Sequence, residues 1–92
     1  MSNRDIIHRM RSVLDKFERS EMLASEAKRE LEPCMTALEG VGFEHRHQFD
    51  DLCYRLTVSS FYDETDEIHL SDESSPEVLK AFRAFLTTIP EV

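Results

Sequence analysis

Between Asn3 and Glu32 the chain has no glycine and no proline. Its apolar or small positions fall at Ile6, Met10, Val13, Phe17, Ser20, Ala24, Ala27 and Leu31, continued past Pro33 by Cys34 and Leu38. Steps of four and three alternate, which is the 3.5-residue period of a helical seam. Ile7, Leu14, Leu23 and Met35 widen the stripe, as in a helix that packs inside its own domain. One straight helix over residues 3–39 would be about 55 Å long at about 1.5 Å per residue, whereas a compact chain of this size is about 30 Å across. Pro33 is the obvious break, because it lacks an amide donor and disfavours helical geometry at Glu32. A turn near Ser20, or close packing of Ser20, Ala24 and Ala27 against a partner chain, would meet the same limit.

Gly40 and Gly42 separate this segment from the next, and Gly40 reads as the residue that ends the helix. Beyond them the period changes to two. Phe43, His45, His47 and Phe49 alternate with Glu44, Arg46 and Gln48, which predicts a strand with one buried face. The run "QFDDL" supplies a turn. Leu52, Tyr54, Leu56 and Val58 then alternate with Cys53, Arg55, Thr57 and Ser59, predicting a second strand that pairs with the first as an antiparallel hairpin. After "YDETD", the run "EIHLS" predicts a short third strand with Ile68 and Leu70 inward. Ser75 as N-cap, Pro76 at the first helical position and Glu77 at the positive end of the dipole open a last helix. Its apolar stripe is Val78, Phe82, Phe85, Leu86 and Ile89.

The predicted fold is therefore α+β in a single small domain. It comprises a long N-terminal helical segment over 3–39, kinked or broken near Pro33, a three-stranded antiparallel meander over 43–71 and a C-terminal helix over 75–89.

Ninety-two residues with 40% apolar content suffice for a packed interior but bury only about 60% of the unfolded chain's surface, so a roomy catalytic cleft is not expected. No apolar run approaches the roughly 20 residues a membrane span needs, and "MSNRDIIHRMR" is charged where a signal peptide is apolar. The expectation is a soluble, cytoplasmic protein. Cys34 and Cys53 lack C-x-x-C spacing and are too few for a disulfide framework, so both are read as reduced structural thiols.

Candidate chemistry is thin. In a strand, His45 and His47 of "HRH" project to one side and suggest a metal pair, but His69, between Ile68 and Leu70, falls on the other face and leaves the set short of ligands. Cys34 lies on the helical seam, and Cys53 stands near Asp51, which raises rather than lowers its pKa. Two glycines cannot build a phosphate loop, and "DETDEIHLSDE" lacks the order and turn glycine of a calcium loop. No cofactor, metal site or enzymatic activity is expected.

Charge changes the picture. Residues 1–32 carry seven basic and seven acidic side chains, while residues 50–77 carry nine acids against Arg55 alone, so the chain's whole net charge of −8 resides in that one segment. Such a field repels nucleic acid and membrane surfaces and steers basic partners toward it. The carboxylates come in pairs, Asp50/Asp51, Asp63/Glu64, Asp66/Glu67 and Asp72/Glu73, with Tyr62 as an aromatic anchor. Paired carboxylates on a scaffold imitate a line of phosphates, spaced about 3.4 Å along one DNA strand. The expected function is a small non-enzymatic binding or inhibitor protein that docks this face on a basic, nucleic-acid-binding partner and blocks it by occupancy. Antirestriction proteins, anti-CRISPR proteins and nuclease immunity proteins, which serve host-defence evasion or protection, are of this physical kind. The alternative is an adaptor that homodimerises through the N-terminal heptad seam; a metal-binding protein using His45 and His47 is a minor third.

Overall fold

The computed structural model describes residues 2–65 and 75–91, with the backbone alone at 60–65 and 75. Four helices follow one another: α1 (Asn3–Glu18), α2 (Ala24–Ala37), α3 (Phe43–Thr65) and α4 (Ser75–Leu86). Among the described residues there is no strand. The fold is all-helical, which corrects the α+β expectation and its three-stranded meander. Helices α1 and α2, α2 and α3, α3 and α4, and α4 and α1 pack as neighbours, closing a four-helix bundle. Its interior is filled by Met10, Leu14, Leu31, Phe49, Leu56, Phe82 and Leu86, each almost wholly buried.

The N-terminal seam folds back on itself at Ser20. Helix α1 opens with the Ser2 hydroxyl accepting from the Asp5 amide, and its C-terminal end closes in a Schellman motif. There Glu21 N–H donates to the Lys16 carbonyl at 2.9 Å and Ser20 N–H to the Phe17 carbonyl at 3.0 Å, with Ser20 in the left-handed region at φ 61°. Helix α2 starts four residues later, with the Glu26 carboxylate accepting from the Leu23 amide at 3.3 Å. Ser20 is the exposed gap in the seam, a position with no apolar side chain to bury. Ile6, Met10, Val13, Ala24, Ala27, Leu31, Cys34 and Leu38 are buried within the one chain. The apolar surface on which a chain-to-chain coiled coil would rest thus lies in the protein's own core.

Pro33 does not break the helix. It sits exposed inside α2, which continues to Ala37. A proline at an interior position costs about 3 kcal/mol. Leu31, Cys34 and Met35, all buried on the opposite side, offset that at about 1.5–3 kcal/mol for each large apolar side chain.

The stretch read as a hairpin is one helix of 23 residues. Its buried positions over residues 43–59 are Phe49, Leu52, Cys53, Leu56 and Ser59, spaced by three, one, three and three, which is a helical face. The alternation that suggested strands put Phe43 inside, yet Phe43 is 84% exposed. Thr57, better suited to strands, and Ser59, better suited to caps and turns, bond back along the helix: their hydroxyls donate to the carbonyls of Cys53 at 2.9 Å and Leu56 at 3.1 Å. The third predicted strand, residues 67–71, lies outside the described residues.

Helix α4 stands where "SSPE" placed a helix. Val78, Phe82, Phe85, Leu86 and Ile89 are all buried, joined by Leu79. Phe82 meets Phe49 edge-on at 5.9 Å, and Phe85 lies 6.2 Å from the His45 ring, so α3 and α4 run antiparallel. That register sets the start of α4 level with the middle of α3. No helix among the described residues is long and apolar enough to cross a membrane.

Candidate acidic docking site

The acidic residues are placed by α3 and by its connection to α4. Asp50 and Asp51 are not at a turn: they occupy the middle of α3, about 100° apart on the helix, with side chains 55% and 57% exposed. Each has a cation one turn away on the same helix, Arg46 for Asp50 and Arg55 for Asp51, both at 3.5 Å. Arg46 is held more closely by Glu32 of α2 at 2.9 Å and lies 5.6 Å from the centre of the Phe49 ring, which joins α2 to α3. Tyr62, Asp63 and Glu64 lie in the last turn of α3, where the backbone is described and the side chains are not. Asp66, Glu67, Asp72 and Glu73 lie outside the described residues.

The last turn of α3 contains no basic residue. A helix C-terminus presents unpaired carbonyls equivalent to about half a negative charge, and cations are the residues that stabilise it. Here Asp63 and Glu64 stand at that negative pole. By contrast α1 carries Lys16 and α4 carries Arg83 in their last turns.

The histidine pair does not form. Residues two apart on a helix point about 200° from each other. His45 turns toward α4, its Nε2 3.4 Å from the Thr88 carbonyl, while His47 turns to solvent and stacks on Phe43 with centroids 6.1 Å apart and ring planes at 12°. Among the described residues no three His, Cys, Asp or Glu side chains converge as a metal site would require. Cys34 and Cys53 are both buried and unbridged. Burial pushes the Cys34 thiol up and holds Cys53 at about 12, with Glu32 adding to the latter, so neither offers a thiolate near neutral pH. A shallow groove of about 320 Å³ runs between α3 and α4 over Leu52, Ala81, Ala84 and Phe85. Among the described residues its ionisable lining is Asp51 and Arg55.

Two features have no counterpart in the sequence reading. One is Arg83 of α4, which donates to Asp15 of α1 at 2.7 Å and also to Glu18. The other is the outer face of α3, where Phe43 is 84% and Tyr54 68% exposed. Positions 43, 47, 50 and 54 recur at helical steps of four, three and four, a signal that the two-residue alternation concealed. Compared with known protein families, with curated proteins and with solved structures, the chain matches none.

Proposed function

We propose that the protein is a small acidic binding protein that inhibits a basic, nucleic-acid-binding partner by occupying its binding groove with carboxylates. The observation that supports this reading is the placement of charge against the helix dipole. A solvated acidic loop that served solubility alone would place acids anywhere on the surface. Asp63 and Glu64 instead fall in the last turn of α3, a position where an acidic residue is as a rule unfavourable by a few tenths to about 1 kcal/mol. Asp66 and Glu67 follow directly in sequence. A basic surface relieves that unfavourable field on contact, so docking gains what folding forgoes. The carboxylates then pair with lysine and arginine side chains that otherwise hold phosphates.

The test is the joint replacement Asp63→Lys, Glu64→Lys, Asp66→Lys and Glu67→Lys. Folding stability is expected to stay level or rise, since the new cations suit the pole of α3. Affinity capture from a lysate, with bound proteins identified by mass spectrometry, is expected to recover basic nucleic-acid-binding proteins with the wild type at low salt. They should be released at high salt and not retained by the variant. The recovered partner should lose its hold on nucleic acid when the wild-type protein is added. Unchanged capture by the variant would overturn the reading.

A further inference from the structure

The geometry points to the solvent face of α3 as the seat of an arginine-rich segment of the basic partner, an inference that rests on the docking function proposed above. At about 100° per residue, Phe43, His47 and Tyr54 fall within an arc of about 40° on that helix, with Asp50 on one side of the arc and Asp51 on the other. All five are exposed. Phe43 and Tyr54 add nothing to the core at 84% and 68% exposure, and the parallel stack of Phe43 on His47 extends the flat aromatic surface along the helix. Large aromatic rings left in water on one helix face mark contact surfaces more often than scattered apolar residues do.

The charges select the occupant. A second copy is disfavoured: Asp50 and Asp51 are at the middle of the stripe, so pairing two α3 faces in either direction sets four carboxylates against one another, with −8 on each chain. Nucleic acid and anionic lipid are repelled by the same residues. What remains is a cation that is also flat. The arginine guanidinium stacks on aromatic rings and presents a fork of donors to a carboxylate, whereas the lysine ammonium is a strongly hydrated point charge. The i,i+4 pairs made by Asp50 and Asp51 are long at 3.5 Å, so each carboxylate has oxygen lone pairs left to accept from an incoming guanidinium.

The experiment uses two synthetic amphipathic peptides of equal length and charge, one with arginine and one with lysine at every basic position. Their affinities for the intact protein are measured by calorimetry over a range of salt. Both are expected to bind with strong salt dependence, the arginine peptide about fivefold tighter. Phe43→Ala with Tyr54→Ala is expected to erase that fivefold preference while leaving the salt slope unchanged. Phe43→Leu with Tyr54→Leu, which keeps apolar bulk and removes the π-faces, should erase it equally and guards against a folding defect. Equal affinity of the two peptides for the wild type, or a preference that survives both double variants, overturns the inference and leaves the docking function standing. Failure of either peptide to bind in a salt-dependent way overturns both.

Discussion

Asn3 is buried in the first turn of α1, and its side-chain amide reaches two carbonyls far along the chain: Glu39 at 2.6 Å and Pro90 at 2.8 Å. Its oxygen accepts from the Glu39 amide at 2.8 Å. Asn3 thereby ties α1, the α2–α3 connection and the C-terminal tail together, and Gly40 beside it adopts φ +72°, the left-handed turn that brings this connection past Pro90. In Asn3→Ala one amide and two carbonyls lose their partners at once. The expected cost is about 3 kcal/mol, read from urea denaturation, well above the usual effect of a truncation at a helix start. Cys53 makes a second prediction. Its thiol keeps its proton in the fold up to about pH 12, whereas the unfolded thiol loses it near 9. Between those values the unfolded state binds fewer protons, so stability is full below pH 9 and falls as pH rises toward 12, by up to about 1.4 kcal/mol per pH unit. Denaturant midpoints measured across that window should show the fall, and Cys53→Ala should flatten it.

At the scale of elements, α4 was legible in the sequence because its signals are local: serine, proline and glutamate at its start and a five-residue apolar stripe. The helical character of the N-terminal segment was legible for the same reason. Its break was not. A proline penalty is a property of one residue, while the burial that outweighs it belongs to Leu31, Cys34 and Met35 packed against other helices. Helix α3 was misread because Phe43, His45, His47 and Phe49 satisfy a period of two and hide the helical set Phe49, Leu52, Cys53 and Leu56. Only Phe49 belongs to both. The candidate site shared that fate: its charge could be counted from the sequence, but an aromatic face with flanking carboxylates appears only once the stretch is wound into a helix. Replacing Asp50→Asn with Asp51→Gly separates the two folds. In a hairpin, Asn-Gly is the preferred turn and would stabilise it. In α3, glycine at an exposed interior position is expected to destabilise by about 1 kcal/mol, seen as a lower denaturation midpoint with a helical circular dichroism spectrum.

Over the whole molecule the charge distribution sets how the fold responds to salt. The Arg83 contacts to Asp15 and Glu18 and the Arg46 contact to Glu32 involve side chains roughly one-third to two-thirds exposed, and such pairs contribute little each. Repulsion within the segment that carries the full −8 acts against them. Raising ionic strength from about 0.01 M to about 0.3 M shortens the screening length from about 30 Å to well under 10 Å. The thermal midpoint is expected to rise over that range. In the four-lysine variant, whose net charge is zero, the rise should vanish.

The bond from Asn3 to the Pro90 carbonyl also closes the topology. The first helix and Pro90 meet at one end of the bundle, so a linker of a few residues joining these two segments would make a ring, and new ends could be opened in the exposed Arg19–Glu21 turn. Such a circular permutant is expected to retain a helical circular dichroism spectrum and cooperative unfolding. The α1–α2 turn and the last turn of α3 occupy the opposite end. A cargo, fluorophore or host protein attached beside Asn3 and Pro90 would therefore sit at the end of the bundle away from the last turn of α3.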